Sequence, residues 1–491
     1  MVNVAARIAD LAGREGWWSR VAYHEVGGKS WAHGEVHDTS ARLATALSAR
    51  GVHRGQRVVV ALPDGAAWVC LFLAIARIGA VAVPVNPNSG AGEHDRLVRD
   101  CSPAFAVTAP ELAHRFGVTP RSGIDALLDA ARTAPPADAR PVPDDAPLYI
   151  HYTSGTTGDP RGAVHRHGNL APCHDAVGVR MLRITPDDVS FSLSKLYFAY
   201  GFGNSLVYPL HSGSSAVLLP GKPTPAAVAE AVRRHRVTVL HAVPSAYAGL
   251  VVDADAEAFR SVRVAVSAGE RLTPHLGARA RTLLGAPVLD ELGSTEIGGA
   301  CCANTLDRDV PGTIGFPLPG YELRIGREGG PDGEVGELWV RGPSIMTHYH
   351  GRPDETARVL VDGWLRTGDR AVRNPDGSYA HAGRADDIEM VGGIKVSPLE
   401  VEQVLGEHPE VREVGVAAVP DDSGATRLRA FVVTTTDEVD PALLEAQLLD
   451  LARRSLAPFK VPRSVTVVGA LPRTPTGKLR RFVLRAGGGD G

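Results

Sequence analysis

The sequence predicts an α/β fold: a large N-terminal domain of parallel α/β sheet carrying a small β subdomain, then a smaller α+β C-terminal domain. Three observations lead there. Short β-rich runs alternate with amphipathic stretches from Arg57 to Leu289. From about Gly315 to Arg341 the pattern becomes short strands with tight Gly turns. After Asp386 a self-contained order of helix, strand, strand, helix, strand follows. At 491 residues the chain is too long for a single hydrophobic core.

Arg57 to Leu62 reads as a strand, Trp68 to Arg77 as a helix and Ala80 to Val83 as a second strand. The span Trp68 to Val85 is strongly apolar, but Arg77 interrupts it and Pro84 ends it, so it reads as a buried helix running into a strand, not a membrane span. Ala134 to Pro147 (APPADARPVPDDAP) reads as an exposed connector. Further strands are expected at Thr238 to Ala242, Val262 to Val266 and Pro287 to Leu289, with helices at Pro225 to Arg234 and Pro274 to Leu284. Loops after such strands form ligand crevices. The β subdomain, about residues 315–382, is typified by Glu337 to Arg341. The C-terminal domain, residues 386–491 against 1–385 for the first, holds helices Pro398 to Leu405 and Pro441 to Ser455. Its strands are expected at Val414 to Val419, Leu428 to Thr434 and Arg463 to Val468. The Gly-rich tail Ala486 to Gly491 reads as disordered.

A formal charge of −3, with 44% apolar and 22% charged residues, offers no electrostatic footing for nucleic acid or an anionic membrane. The five cysteines have no C-x-x-C spacing, which argues against a disulfide scaffold or zinc site and for a reducing, cytoplasmic setting. Vicinal Cys301 and Cys302 read as packing. Residues Met1 to Trp18 lack the apolar core of a signal peptide.

Chemistry concentrates in four segments. Tyr152 to Gly162 strings together Thr153, Ser154, Gly155, Thr156, Thr157, Gly158 and Arg161 directly after the apolar run Leu148-Tyr149-Ile150. Glycines let backbone approach a ligand closely, and hydroxyls, amides and a guanidinium donate to anionic oxygens. The segment lacks the G-x-x-x-x-G-K-[ST] signature, so by itself it is either a polyphosphate loop or a surface turn. The second segment is Leu289-Asp290-Glu291-Leu292-Gly293-Ser294-Thr295-Glu296. The third is Trp364 to Asp369 with Gly383 to Asp387, and the fourth is Leu471 to Arg480, containing Lys478.

In this order, and over nearly the whole chain, the four resemble the adenylate-forming superfamily of acyl- and aryl-CoA ligases, luciferases and peptide-synthetase adenylation domains. The resemblance implies ATP, Mg²⁺ and coenzyme A, or the phosphopantetheine of a carrier protein, as cofactors. It gives Lys478 and Thr295 to the adenylation step and Glu296 to the metal. Gly269 and Glu270, with the strip Asp290, Glu291, Leu292, Gly293 and Ser294, line the nucleotide; Asp369 and Arg384 hold its ribose. Asp386 matches the hinge on which the small domain turns, and Gly392 and Gly393 the pantetheine tunnel. The chemistry agrees. A carboxylate is a poor electrophile until attack on an α-phosphate gives it a good leaving group, and gathering those anions demands cations, donors and a hard-oxygen metal ligand. Arg161 stands where the family carries Lys, which keeps charge but changes geometry. His165-Arg166-His167 looks metal-like, yet the family carries a similar stretch without using it for metal.

Ser194 to Asn204 resembles the matching segment of benzoate- and hydroxybenzoate-CoA ligases, implying a small aryl acid. Ala199 and Tyr200 would line the ring, with Ala268, Gly269 and Gly293 behind it and Lys195, Gly201, Gly298 and Gly299 around it. Phe198, Tyr200 and Phe202 read equally as core. Gly299 replaces a histidine common in benzoate-CoA ligases, which should enlarge the pocket and favour a substituted benzoate or cinnamate-like acid. The acceptor stays open among CoA, a carrier protein and an amine, the last with another acid or an oxyanion such as nitrite. A homodimer is a family-level expectation.

Overall fold

The computed structural model describes residues 3–117, 119–154, 160–326, 329–384, 389–391, 394–420, 426–436, 438–474, 477 and 479–486. Among these, two large sheets form the N-terminal domain. The first has nine strands in the order Phe316–Pro317, Gly299–Ala303, Val288–Ser294, Val264–Ser267, Val239–Ala242, Val189–Ser192, Ser215–Leu218, Val21–Glu25 and Ser30–Ala32. Its centre is parallel and its edges antiparallel. The second has seven, with Arg57–Ala61 and Val81–Pro84 parallel at its centre and the hairpin Pro147–Ser154 and Pro160–Arg166 toward one edge.

Helices supply the crossovers. Apart from Arg77 in its last turn, Ala66–Ile78 is apolar on all sides, so it rests in the interior. Trp68 stacks on Phe72 at 5.9 Å, and Phe202 meets Phe72 edge-on at 5.0 Å. Burying one such ring contributes about 1.5–3 kcal/mol. Pro274–Leu284 begins where the Thr273 hydroxyl accepts from the Leu276 amide and Pro274 fixes the first turn.

Strand pairs Glu322–Ile325 with Gly336–Arg341, and Trp364–Arg373 with Tyr379–Arg384, build an antiparallel β subdomain reaching Arg384, slightly past the expected limit. In the C-terminal part, Val411–Pro420, Thr426–Thr434 and Ser464–Val467 form a three-stranded sheet packed by Pro398–Leu405 and Pro441–Ser455. The connector Ala134 to Pro147 is irregular but strapped down: Val142 is buried, and the Arg140 amide donates to Arg77 O at 2.8 Å. All five cysteines are buried and unbridged. No helix among the described residues is long and apolar enough to cross a membrane.

Candidate active site

Strands Val189–Ser192, Val239–Ala242, Val264–Ser267 and Val288–Ser294 are adjacent and parallel, so their carboxyl ends share one rim. The segments leaving that rim carry Lys195 to Gly201, Val243 to Ser245, Ala268 to Glu270 and Thr295 to Gly298. Val288–Ser294 is longer than the expected Pro287 to Leu289; Asp290 to Ser294 lie within the strand and only Thr295 to Gly298 form the turn.

That turn is held from several directions. The Ser294 hydroxyl accepts from the Ile297 amide at 3.2 Å, and Ser294 O from the Gly298 amide at 3.0 Å. Gly298 closes it at φ 76°, a conformation that disfavours any Cβ. Buried His165 faces Thr295 O through Nε2 at 2.8 Å and Asn169 Nδ2 through Nδ1 at 3.2 Å. A carbonyl only accepts, so Nε2 carries the proton and Nδ1 is the acceptor. Burial pushes the ring's pKa down to about 4, keeping it neutral in this role. Ser344 ties the same turn, its hydroxyl donating to Ile297 O at 2.6 Å. Glu296 projects half-buried, its Oε1 accepting from the Tyr349 hydroxyl at 2.8 Å.

Tyr349 lies under Arg161, whose guanidinium is 5.2 Å from the ring centroid. Arg161 pairs across the hairpin with Thr153. Thr153 Oγ1 and Arg161 Nε are buried with no hydrogen-bond partner among the described residues. These two unmatched atoms flank the hydroxyl-glycine loop near the Glu296 carboxylate, while Arg161 Nη1 is ion-paired with Glu355 at 3.7 Å. Residues Gly155, Thr156, Thr157 and Gly158 of that loop, and the Ser154 side chain, lie outside the described residues, as do Asp386, Gly392, Gly393 and Lys478.

Asp369 and Arg384 are paired in register on adjacent strands. Asp369 is buried, with Arg384 Nη1 at 3.5 Å and His381 Nε2 at 3.4 Å from its Oδ1. On the rim, Glu270 takes Arg473 of the C-terminal part as an ion-pair partner. Arg473 also donates to Glu413 Oε2 at 2.6 Å and to Gly477 O at 2.5 Å. Gly477 lies against Val243, Ser245 and Glu270. Arg473 and Gly477 are therefore held against the rim.

Model matching places residues 13–350 in the AMP-binding enzyme family and residues 400–478 in the AMP-binding enzyme C-terminal domain. The chain belongs to the AMP-binding enzyme family. It is 40% identical over 489 residues to a p-hydroxybenzoic acid–AMP ligase of Mycobacterium tuberculosis, covering 98% of this chain and 68% of that protein. It is 35% identical over 497 residues to a benzoate–CoA ligase of Thauera aromatica, covering 97% and 94%. Its structure matches a solved anthranilate CoA ligase in complex with anthranoyl-AMP at TM-score 0.92 and 30% identity, over 99% of this chain and 97% of that one. The expectation of an adenylate-forming enzyme on an α/β scaffold stands.

In this AMP-binding enzyme the aromatic segment divides. Phe202 is core. Tyr200 turns to the rim, its hydroxyl donating to Val266 O at 3.2 Å, beside Ala199, Gly201 and buried Ala268. The Lys195 ammonium donates to the carbonyls of Leu219 and Gly221, which ties the segment to the neighbouring strand end. Gly293 is required by close approach: a Cβ there would lie 2.4 Å from Gly299 O. The expected enlargement at Gly299 is not realised, because a Cβ there would lie 2.5 Å from Cys173 Sγ; the cysteine fills that space. His165 is a turn anchor. Tyr349, Ser344, Cys173 and Arg473 went unnoticed in the sequence. Only Arg473 carried a signal, as part of the Leu471 to Arg480 motif; the others are brought in by sheet topology.

Proposed function

We propose that this enzyme activates a substituted benzoate with ATP, releasing pyrophosphate and forming aryl-AMP, then transfers the aroyl group to the thiol of CoA; with Cys173 filling the space at Gly299, the longer cinnamate-like acids lose their support. The observation that carries this reading is the convergence at one rim of three parts: the Thr295–Glu296 turn, the Glu270–Arg473 ion pair, and the Ala199–Tyr200 segment hydrogen-bonded to the strand that ends at Ala268. The relatives' activities on benzoate, hydroxybenzoate and anthranilate support an aryl acid.

Thr153, Thr295 and Arg161 would donate to the phosphates, and Lys478 would bridge the carboxylate and the α-phosphate as charge develops. Asp369, oriented by His381 and Arg384, would accept from the ribose hydroxyls. The residues fit Mg²⁺: one hard carboxylate, Glu296, stands beside orphaned anion donors, the pattern of a metal held by one protein oxygen plus substrate phosphates. Bound there, the ion would neutralise charge on the phosphate oxygens. Tyr349 would orient Glu296 toward it.

A second reading has one observation in its favour. The 40%-identical relative is named an AMP ligase and extends well beyond this chain, of which it shares 98%. Its name carries no CoA, so transfer to an acceptor other than CoA, such as the phosphopantetheine of a carrier protein, is the alternative acceptor step. Mass spectrometry of reactions containing ATP, an aryl-acid panel and either CoA or a pantetheinylated carrier protein separates them. An aryl-CoA product supports the first; adenylate without aryl-CoA, discharged only by carrier protein, supports the second.

A further inference from the structure

Glu291 is out of character for its surroundings. Its neighbour Leu289, two residues back on the same face of Val288–Ser294, belongs to the main apolar core with Cys173, Phe202, Tyr208 and Cys301. Val288, on the opposite face, belongs to the second core beneath Tyr247. Glu291 therefore enters the first core at the rim end of the strand. It is 6% exposed, and its Oε2 has no hydrogen-bond partner among the described residues. A buried acceptor left unmatched costs about 1–3 kcal/mol, more if charged, and calls for an explanation.

What surrounds it are the segments proposed to receive the aryl ring. The turn Ala199–Phe202 packs on this strand, and His174–Met181 packs on the neighbouring Gly299–Ala303. The carboxylate is close enough to Tyr200, Tyr208 and Cys173 to hold each of their pKa values further up than burial alone. None of these satisfies it: the Tyr200 hydroxyl is spent on Val266 O at 3.2 Å, and the Tyr208 hydroxyl faces Cys173 Sγ at 3.8 Å. Cys173 also closes the Gly299 side. By strand alternation, the side chain assigned to the adenine strip by resemblance lies on the core face that holds Tyr208 and Cys173.

We propose that Glu291 is the specificity-determining acceptor for a hydrogen-bond-donating substituent, hydroxyl or amino, on the ring of the aryl acid. This rests on the reading of the site as an aryl-acid pocket. A phenolic O–H or anilinic N–H placed there satisfies the orphaned oxygen; an unsubstituted ring leaves it buried and unmatched. Sites built around such a bond reject analogues lacking it strongly, and methylene-sized differences only weakly.

The test is pyrophosphate release with ATP and benzoates bearing H, OH, NH₂, F or OCH₃ at each ring position, in wild type, Glu291→Gln and Glu291→Ala. Wild type should prefer the best hydroxy- or aminobenzoate over benzoate by at least about 100-fold in kcat/KM. Glu291→Ala should bring that ratio below about 5-fold. Glu291→Gln, which keeps an acceptor oxygen, should fall between. A ratio unchanged in both variants overturns the role of Glu291 while leaving aryl-acid activation intact, as does a wild type indifferent to donors should Glu291→Ala not fold. Absence of pyrophosphate release with every aryl acid overturns the proposed function itself.

Discussion

Replacing Glu291 with Gln should loosen the link between stability and pH. Burial pushes the Glu291 carboxyl from its ordinary 4.5 up to about 8. Between those values the native state holds a proton that the unfolded chain has released. Native stability from this group is therefore fully present below 4.5 and is lost as the pH rises through about 8. At about 1.4 kcal/mol per pH unit, the loss reaches roughly 5 kcal/mol as an upper limit, since water entry on ionisation would relieve part of it. Gln cannot ionise and keeps nearly the same volume. Asp290 is pushed upward too, by its own burial and then by the Glu291 charge, so the variant keeps a residual slope of the same sign. Urea melts of ligand-free wild type and Glu291→Gln at about pH 5 and about pH 9 measure the effect. The stability gap should widen in favour of Gln by several kcal/mol between the two conditions. A gap that stays constant would mean Glu291 is solvated and ionised throughout, and would undo the description of that pocket wall.

Three further outcomes follow from the site's scaffolding. His165→Ala removes the donor to Thr295 O and should lower kcat for pyrophosphate release about 10–100-fold, with partial recovery in His165→Gln, because small misplacement of reacting groups is costly. Tyr349→Phe frees the Glu296 carboxylate and should raise the half-saturating Mg²⁺ concentration roughly 10-fold, read from metal titrations of the same assay. Gly299→Ala places a Cβ against Cys173 Sγ and should cost about 1–3 kcal/mol of stability in denaturant melts, most of it regained in the Gly299→Ala/Cys173→Ala double variant.

Much of the scaffold was readable along the chain because local signals coincide. Helices Pro274–Leu284, Pro398–Leu405 and Pro441–Ser455 begin at a proline after Thr, Ser or Asp, and fall where the sequence places them. Val288–Ser294 was underestimated because Asp290 and Glu291 interrupt its apolar run; buried carboxylates look like a strand's end until the fold encloses them. Asp369 and Arg384 could be paired by motif, and adjacent antiparallel strands bring them together. What the motifs could not show is what supports them. His165 lies 130 residues from Thr295 and Tyr349 lies 53 from Glu296, and only the sheets join them. Likewise Cys173 reaches Gly299 across the core, so a reading of Gly299 as vacant volume failed for want of its neighbour.

The most direct measurement is mass spectrometry of the nucleotide products after incubation with ATP, Mg²⁺ and a hydroxybenzoate, before any thiol is added. Aryl-AMP and pyrophosphate in equal amounts, abolished by Lys478→Ala, is the outcome this site requires. ADP and phosphate in their place, or aryl-AMP formed undiminished by the Lys478→Ala enzyme, would show that the carboxylate is not activated in the way described.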